Sequence, residues 1–370
     1  MDMSYYNPVK LFTGKGCLEN GAAVLAGLGS RCLIVTGAHG AKASGALDDL
    51  TATLAGAGIG YAVFDGIEQN PSYVSCLAAA TEAKRLGAEF IVGVGGGSPL
   101  DAAKAVAVLT ACRDTSPEAM YGGAWDATPL PVVAVGTTAG TGSEVTPVAV
   151  ITSPEGLKKS LRAPSLYPVA AFGDATYTLS LSPAFTRSTA LDALAHALES
   201  YFNRTANDVS RLFAVRAMAI LLTALKRTAV CDREPLTFDE REALYCASLY
   251  AGYAIAVTGT AFPHALGYFL SEQHGVPHGN ACAVYLPAFL RHSVAAAPAE
   301  ARALFAVLGT DAEALTTLME ANLPDLGVTL TAEEVAALGP RYEGHKSLKK
   351  CLGTVDRAFA EALLAHLFVK

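Results

Sequence analysis

Several histidines and one aspartate stand in two short windows of the chain, at spacings that suit a metal ion. Asp192 and His196 are four residues apart in a strongly helical run, so both side chains face the same way. His264 and His278 follow in a second window, which also contains His274. A carboxylate with imidazoles suits Fe(II) or Zn(II) better than Ca²⁺ or Mg²⁺. The spacing predicts a metal site with a further position open to a substrate oxygen, although a single histidine on an apolar helix is more often a core residue.

Two glycine-rich turns form a second candidate site, for phosphate groups. One apolar run ends in Gly95-Gly-Gly-Ser98, where the missing Cβ atoms let the backbone approach a ligand. The next run ends in Gly136-Thr-Thr-Ala-Gly-Thr-Gly-Ser-Glu144, which is rich in hydroxyl donors. A tight strand–helix turn and a flexible surface loop are the alternatives, since Gly-x-Gly-x-x-Gly is not matched. Parallel sheets bind ligands outside the carboxyl ends of their strands, and this favours a dinucleotide.

The helix that follows the first turn is predicted to begin with Ser98 as its N-cap. Pro99 would then occupy the first helical position, and Asp101 would complete a start that resembles a capping box. The unpaired N–H groups and the positive dipole end of such a helix favour an anion. The alternative is that Asp101 serves only as a cap.

These sites need elements to position them, and the pattern of the chain changes near its middle. The first half alternates apolar runs with helical stretches, which is typical of a parallel sheet covered on both faces. The predicted strands are 31–36, 61–64, 89–94 and 131–135, and the helices between them are 46–55 and 72–86. After about Pro183 the chain is predicted to be all helical, with helices at 184–203, 208–227, 239–257, 298–308, 332–338 and 354–368. We therefore expect an α/β domain over residues 1–181 and an all-helical domain over residues 182–370.

Composition excludes several classes of protein. Hydrophobic residues make up 52% of the 370 residues and charged residues 16%, which excludes a largely disordered chain. The net charge is −7 and no run of Lys or Arg exceeds two, so we expect no nucleic-acid partner. Eight cysteines without a Cys-x-x-Cys pair predict reduced, mostly buried thiols.

The sequence also predicts where the protein resides. The first residues lack a basic region followed by an apolar one, so we expect no secretory signal and a cytoplasmic location. The uncharged stretch 244–263 is long enough to span a bilayer. It contains Gly252 and Gly259 and leads directly into the second histidine window, so we interpret it as a buried core helix and expect no membrane partner.

The chain resembles the iron-containing (group III) alcohol dehydrogenase family along nearly its whole length. Four segments carry the resemblance, in the family's order and spacing: Gly95-Gly-Gly-Ser-Pro-Leu-Asp-Ala-Ala-Lys104, Thr137-Thr-Ala-Gly-Thr-Gly-Ser-Glu-Val-Thr146, Leu191-Asp-Ala-Leu-Ala-His-Ala-Leu-Glu199 and Pro277-His-Gly279. It implies a Rossmann-like dinucleotide-binding domain, a helical metal-binding domain and an active site in the cleft between them, the architecture shared with dehydroquinate synthases. The implied metal ligands are Asp192, His196, His264 and His278.

The resemblance also implies the positions that bind cofactor and substrate. The implied cofactor residues are Gly37, Lys42, Asn70, Gly95, Gly96, Gly97, Ser98, Asp101, Thr137, Thr138, Thr141, Ser143, Lys158, Thr178 and Leu179. The implied pocket residues are Val148, Ile255, Phe262 and Tyr268. These side chains favour a small, mainly apolar aldehyde or alcohol.

One position departs from the family pattern. Many members carry a further histidine four residues after the third ligand, where this chain has Tyr268. The catalytic proton relay therefore falls on Tyr268 or on His274, and for His274 a supporting role behind the ligands is equally open. Glu199 and Tyr201 are expected to pack or hydrogen-bond behind the metal helix.

The resemblance implies an NAD(P)-dependent alcohol dehydrogenase or aldehyde reductase that transfers hydride between nicotinamide and a small primary alcohol or aldehyde held by its oxygen on the metal. Fe(II) is the implied metal, with Zn(II) as the alternative. A cyclase similar to dehydroquinate synthases would need more Lys and Arg for a phosphorylated acid. A zinc polyol dehydrogenase similar to glycerol dehydrogenase would lack the ligand that His196 supplies. A non-catalytic binding protein is disfavoured by the intact ligand set.

The residue after the first strand predicts the cofactor. NAD-dependent members carry an aspartate where this chain has Gly37, and that carboxylate would repel a 2′-phosphate. His39 and Lys42 stand close enough in sequence to donate to such a phosphate. We therefore expect NADP(H) to be preferred over NAD(H); the alternative is that Gly37 serves only the turn and that both cofactors are accepted. A homodimer is the expected assembly.

Overall fold

The computed structural model describes residues 3–230 and 236–369, which pack as two compact units. The α/β unit contains residues 6–182 and 236–252. The helical unit contains residues 3–5, 183–230 and 253–369. The predicted fold class, an α/β half followed by a helical half, is confirmed.

The α/β unit is built on a six-stranded parallel sheet with the order β1-β8-β5-β4-β2-β3. Two further strands, β6 and β7, pair as an antiparallel hairpin. The strands are β1 Lys10–Thr13, β2 Arg31–Thr36, β3 Gly60–Phe64, β4 Phe90–Gly95, β5 Val132–Gly136, β6 Val148–Thr152, β7 Lys158–Arg162 and β8 Ala170–Gly173. The four predicted strands correspond to β2 to β5. Strands β1 and β8 and the hairpin were not predicted.

The parallel sheet is covered on both faces, as its apolar strands predict. Leu33 and Val35 of β2 enter one buried cluster with residues of the helices at 73–86 and 97–111, whereas Cys32 and Ile34 enter the other, with residues of the helices at 17–20 and 46–56. Alternate side chains of a strand point to opposite faces, so both faces of β2 are core. The helices of this half of the chain are α1 Cys17–Asn20, α2 Ala22–Ala26, α3 Gly40–Ala43, α4 Ala46–Gly56, α5 Tyr73–Leu86, α6 Gly97–Ala111 and α7 Pro117–Gly122.

Long helices make up the second half of the chain. They are α8 Pro183–Tyr201, α9 Asp208–Val230, α10 Phe238–Thr258, α11 Phe262–Gln273, α12 His278–Ala283, α13 Leu286–Ala296, α14 Pro298–Leu308, α15 Ala312–Asn322, α16 Ala332–Leu338 and α17 Arg357–Phe368. Proline occupies the first turn of several of them, where its fixed φ and missing N–H are tolerated. The six helices predicted from the apolar period are present, and α11, α12, α13 and α15 were not predicted.

The uncharged stretch at 244–263 includes most of α10, whose Leu244, Ala247 and Ala251 are buried. Within the described residues, none of the helices is both long enough and apolar enough to cross a bilayer. The interpretation as a core helix is confirmed.

The cysteines that the structure describes are free thiols, of which six are buried and Cys246 is half-buried. Cys231 lies outside the described residues. For the described cysteines, the prediction of reduced, mostly buried thiols is confirmed.

Candidate functional site

Three helices of the helical unit bring the predicted metal ligands together. Asp192 and His196 lie one turn apart on α8, His264 lies in the first turn of α11, and His278 begins α12. The close packing of α12 on α8 depends on Gly279, because a Cβ there would lie 2.0 Å from the carbonyl oxygen of Ser188. The chain after His278 therefore runs directly against the helix that carries the aspartate.

The buried donor atoms of this group face one another without hydrogen-bonding. His264 Nε2 lies 3.6 Å and His278 Nε2 3.9 Å from Asp192 Oδ1. Both separations exceed a hydrogen bond, and Asp192 Oδ1 and His264 Nε2 are buried with no hydrogen-bond partner among the described residues. An unpaired buried polar atom costs about 1–3 kcal/mol, and a cation between the two atoms would satisfy both. The residues present therefore fit a metal ion.

Glu199 fixes the orientation of the His264 ring. Its Oε2 accepts a hydrogen bond from His264 Nδ1 at 2.6 Å, and its Oε1 accepts one from the His264 backbone N–H at 3.0 Å. The side chain of Glu199 is fully buried on α8, one turn beyond the ligand pair. A carboxylate that holds one imidazole nitrogen leaves the other nitrogen aimed at the site, the arrangement typical of metal-binding histidines.

The charges in this group depend on one another. Burial alone would raise the pKa of the Asp192 carboxyl, but the neighbouring His196 and His278 hold it well below its usual range. Burial opposes protonation of His264, yet Cys282, Glu199 and Asp192 together raise its pKa well above the usual value. A proton and a cation compete for the same Nε2, so we expect metal binding to release protons.

His196 lies beside the group of close donor atoms, and Cys282 lies within it. Among the described residues, the side chains whose donor atoms all lie within 4.8 Å of one another are Asp192, His264, His278 and Cys282. His196 stacks on His264 with ring centroids 4.6 Å apart and an interplanar angle of 21°. Cys282 was not predicted from the sequence. The signal was present, since Cys282 stands four residues after His278 on the same helix.

The two candidates for the proton relay lie in different surroundings. Tyr268 is half-buried and stacks on His278, with centroids 6.1 Å apart and an interplanar angle of 23°. His274 is exposed at the end of α11, where its ring meets the edge of Phe269. The structure thus brings Tyr268, but not His274, to a predicted ligand.

The implied pocket residues differ in exposure. Phe262 is fully buried, and its ring packs against Phe289 and Phe359 with centroids 5.2 and 5.3 Å away. Val148 on β6 and Ile255 on α10 are half-buried. Phe262 therefore serves the core of the helical unit, whereas Val148 and Ile255 keep accessible surface.

In the α/β unit the two glycine-rich turns lie against each other. A Cβ on Gly96 would lie 3.0 Å from the Thr138 methyl group, and one on Gly97 would lie 2.7 Å from that of Thr141. The backbone N–H of Thr137 also donates to the carbonyl of Gly95 at 2.9 Å. The strands before both turns are buried, whereas Gly96, Gly97, Ser98, Thr138 and Thr141 are half-exposed. The turns thus form one accessible surface at the carboxyl ends of β4 and β5.

The predicted cap at the start of α6 is wrong. The helix begins at Gly97 with Gly96 as its N-cap, and no side chain caps it. Ser98 lies inside the first turn, where its hydroxyl accepts a hydrogen bond from the Asn70 N–H at 3.2 Å. Asp101 does not cap either, because its carboxylate accepts from the Ser143 hydroxyl at 2.6 Å and the Val150 N–H at 2.8 Å. It ties α6 to the second turn and to β6.

Lys104, in the interior of the α/β unit, also connects α6 to the second turn and to β6. Its side chain is fully buried, and its ammonium donates to the carbonyl of Ser143 at 2.8 Å, to the Ser143 hydroxyl at 2.7 Å and to the carbonyl of Val148 at 2.8 Å. Burial lowers the pKa of Lys104 to about 8. The lysine stands in one of the segments that carry the family resemblance, but no role was predicted for it from the sequence.

The remaining implied cofactor positions are spread around the turns. Asn70 has a φ of 58°, a conformation that asparagine tolerates better than most residues. Lys158 is half-buried on β7, Thr178 is buried with its hydroxyl on the carbonyl of Ala175, and Leu179 is exposed. The backbone N–H of Asn70 donates a hydrogen bond to the Ser98 hydroxyl, and this links Asn70 to the first turn.

The predicted 2′-phosphate region contains a carboxylate that was not expected from the sequence. Gly37 follows β2, and a Cβ there would lie 3.0 Å from the carbonyl oxygen of Ile67. Lys42 Nζ lies 3.0 Å from Asp65 Oδ2, and both side chains are about half exposed. Lys42, which is predicted to donate to a 2′-phosphate, is therefore already paired with Asp65. This pairing lowers the pKa of Asp65.

Comparison with known proteins places both halves of the chain in one family. Residues 8–175 match the family model for iron-containing alcohol dehydrogenase, and residues 186–338 match that for the C-terminal part of the Fe-containing alcohol dehydrogenase family. The chain is 32% identical over 312 residues to the 1,3-propanediol dehydrogenase of Klebsiella pneumoniae, which covers 83% of this chain and 79% of that protein.

Solved structures agree with these matches. An iron-containing alcohol dehydrogenase from Thermotoga maritima superposes with a TM-score of 0.90 at 36% identity, over 99% of each chain. A sulfoacetaldehyde reductase from Bifidobacterium kashiwanohense in complex with NAD⁺ gives a TM-score of 0.87 at 27% identity, also over 99% of each chain.

Proposed function

Because the chain belongs to the iron-containing alcohol dehydrogenase family, we propose that it is a metal-dependent, NAD(P)-linked alcohol dehydrogenase or aldehyde reductase. The observation that carries the proposal is the buried group of Asp192, His264 and His278, with two donor atoms that lack partners. A fold can host many activities, so the site and not the fold supports the reaction.

The helical unit is proposed to hold the metal. Asp192, His196, His264 and His278 are the proposed ligands, Fe(II) the proposed ion and Zn(II) the alternative. When bound, the metal would supply a Lewis acid for the substrate oxygen, and the nicotinamide would supply or accept the hydride. Glu199 keeps His264 in the orientation that the ion requires.

Tyr268 is proposed to donate and accept the proton of the substrate oxygen. Its ring stacks on His278, the ligand whose side chain is 30% exposed, so Tyr268 lies beside an accessible member of the ligand group. A phenol there can donate a hydrogen bond to the oxygen of an aldehyde and accept one from an alcohol. His274 is the less suitable candidate because it lies on the exposed end of α11.

The α/β unit is proposed to hold the cofactor. The half-exposed turns at Gly96–Gly97 and Thr138–Thr141 offer backbone N–H and hydroxyl donors to the phosphates. Asp101 and Lys104, on the helix that follows the first turn, both hydrogen-bond to Ser143 in the second turn and so connect the two turns. We propose NADP(H) in preference to NAD(H), because Gly37 removes the carboxylate that would repel a 2′-phosphate.

A short aldehyde or primary alcohol is the proposed substrate. Two of the similar proteins are named for small molecules of this kind, 1,3-propanediol and sulfoacetaldehyde. Half-buried Val148 and Ile255 favour an apolar chain, although Phe262 lies too deep in the core to line a pocket. The homodimer and the cytoplasmic location stay predictions.

The test is NAD(P)H oxidation with short aldehydes by protein stripped of metal and reloaded with Fe(II) or Zn(II). We expect oxidation that depends on both aldehyde and metal, with NADPH better than NADH. His264→Ala should abolish metal retention and turnover while the far-ultraviolet circular dichroism stays unchanged. Wild-type protein that never oxidises NAD(P)H with any aldehyde would refute the function, and an active, metal-bound His264→Ala would refute the site.

A further inference from the structure

Cys282 lies among the metal donors, although no ligand role was predicted for it from the sequence. Its side chain is fully buried on α12, four residues after His278, so both side chains face the same side of that helix. Its Sγ lies 3.8 Å from each ring nitrogen of His278. It also lies within 4.8 Å of the donor atoms of Asp192 and His264.

These separations suit donors around one small cation. Adjacent ligands of a four- or five-coordinate ion, with metal–nitrogen and metal–oxygen bonds of about 2.0–2.2 Å and a metal–sulfur bond of about 2.3 Å, lie roughly 3.0–3.8 Å apart. The sulfur is 3.8 Å from His278 Nε2, and Asp192 Oδ1 is 3.6 Å from His264 Nε2 and 3.9 Å from His278 Nε2. The 3.6 Å and 3.8 Å separations fall within this range and the 3.9 Å separation lies just outside it, so Cys282 Sγ and His278 Nε2 are as far apart as two ligands of one ion.

A second, independent observation points to a ligand here. Asp192 and His264 are each 3% exposed, and Asp192 Oδ1 and His264 Nε2 have no hydrogen-bond partner among the described residues. A thiol present only for packing would leave both atoms unpaired. A cation between them and the sulfur would satisfy all of them.

We propose that Cys282 adds a sulfur donor to the metal site. The inference rests on the proposed function only in taking this group as the site of the catalytic metal. Thiolates favour Zn(II) over Fe(II), whereas imidazoles alone serve both ions. The sulfur therefore shifts the selectivity of this site toward Zn(II), relative to the same site without it.

Cobalt spectroscopy tests the proposal directly. Full-length protein is stripped of metal with a chelator and reloaded with one equivalent of Co(II), which reports a thiolate ligand by a near-ultraviolet charge-transfer band. We expect the band in wild-type protein, its loss in Cys282→Ser and Cys282→Ala, and its retention in Cys351→Ser. Cys351 is the matched control because it is also buried in the helical unit, and its Sγ donates to the Ser347 carbonyl.

Metal competition provides a second measurement. The ratio of Zn(II) to Fe(II) affinity should fall at least tenfold in Cys282→Ser and stay unchanged in Cys351→Ser. Wild-type protein that binds no Co(II), or binds it without the charge-transfer band, would overturn the proposal, and this result does not require any variant to fold. A band that persists in Cys282→Ser would overturn it as well.

The aldehyde assay separates this proposal from the proposed function. Metal-dependent aldehyde reduction without the cobalt band would leave the function standing and overturn the role of Cys282. The band without any aldehyde reduction would support the sulfur ligand and remove the proposed function.

Discussion

At the scale of single residues, the surroundings of Gly37 are proposed to determine how the protein binds the adenosine end of a dinucleotide. The position lacks the carboxylate that would repel a 2′-phosphate. Lys42 supplies a cation, but Asp65 lies 3.0 Å from it and offsets part of its charge. Both groups are half-exposed, so solvent and salt weaken their effects on a ligand. Selectivity for NADPH is therefore expected to be moderate and adjustable from this pair.

We predict that Asp65→Asn raises the ratio of kcat/KM for NADPH over NADH by about threefold, and that Lys42→Ala lowers it by a similar factor. The physical reason is that each substitution changes the charge that faces a 2′-phosphate and leaves the nicotinamide end alone. Gly37→Asp should also shift the ratio toward NADH. That variant must displace the Ile67 carbonyl slightly, so the charge-pair variants give the cleaner measurement.

The control for this experiment is Lys159→Ala. Lys159 is also a half-exposed lysine of the α/β unit, paired with Glu155 at 3.1 Å, and its loss should leave the cofactor ratio unchanged. A wild-type enzyme that favours NADH tenfold, a difference of about 1.4 kcal/mol in transition-state binding, would contradict the proposed preference.

Single residues also show where prediction from sequence stops. Asp192 and His196 could be proposed from helical periodicity, which puts i and i+4 on one face, and His264 and His278 from their occurrence in a second short window. Cys282 obeys the same spacing, but buried cysteines are common in cores, and the sequence does not reveal what its sulfur faces. Asp65 could not be paired with Lys42 either, because the contact joins segments that only the fold brings together.

At the scale of elements, α6 and the second glycine-rich turn act as one structure. Lys104 on α6 reaches Ser143 in the turn and Val148 on β6, while Asp101 on the same helix accepts from Ser143 and Val150. Buried polar networks of this kind are costly unless all members are paired. The surface proposed to receive phosphates is therefore held from inside the unit.

We predict that Lys104→Met lowers the free energy of unfolding near pH 7.5 by about 2–4 kcal/mol, because it leaves buried acceptors unpaired. The effect should depend on pH. Native Lys104 releases its proton at about 8, whereas the unfolded side chain keeps it to about 10.5. Between these values the unfolded state binds more protons, so the stability of wild type relative to the variant rises with pH, by on the order of 3 kcal/mol.

Urea unfolding of wild-type and Lys104→Met protein at pH 7.5, 9 and 10 measures this difference. Lys84→Met is the control, since Lys84 is an exposed lysine of the same unit that donates to one carbonyl, and it should change the free energy by less than about 1 kcal/mol. A wild-type advantage that stays flat or falls as pH rises would contradict the assignment.

Elements also differ in how well the sequence predicts them. Strands β2, β4 and β5 are apolar runs buried on both faces of the sheet, and the edge strand β3 is also apolar although it is partly exposed, so the positions of all four followed from the apolar pattern. Strands β1 and β8 have four residues each, and the hairpin strand β7 is Lys-Lys-Ser-Leu-Arg, too polar for the same signal. The first turn of α6 was misplaced because Ser98 looks like a cap, yet tertiary contact with Asn70 takes its hydroxyl.

At the scale of the whole molecule, the chain crosses between its two units more than once. Residues 236–252 return to the α/β unit, where Tyr245 donates to the buried Glu144 at 2.8 Å. Helix α10 thus begins in one unit and ends in the other. The change in hydrophobic period near Pro183 predicts the crossing at that point, but nothing in the composition of α10 marks the crossing within that helix. Packing, and not sequence pattern, assigns that helix.

This division separates the two proposed binding tasks, because the metal donors lie in the helical unit and the glycine-rich turns in the α/β unit. We predict that chelated protein still shifts NADPH fluorescence, with a dissociation constant for NADPH within about threefold of that of the metal-loaded protein. A threefold change corresponds to about 0.6 kcal/mol, which is the size expected when the metal affects cofactor binding only indirectly. The reciprocal variant is Gly97→Ala, whose Cβ would press on Thr141: it should weaken NADPH binding and retain the metal. Chelated protein that no longer shifts NADPH fluorescence, or Gly97→Ala protein that loses its metal, would show that the two tasks are not separate.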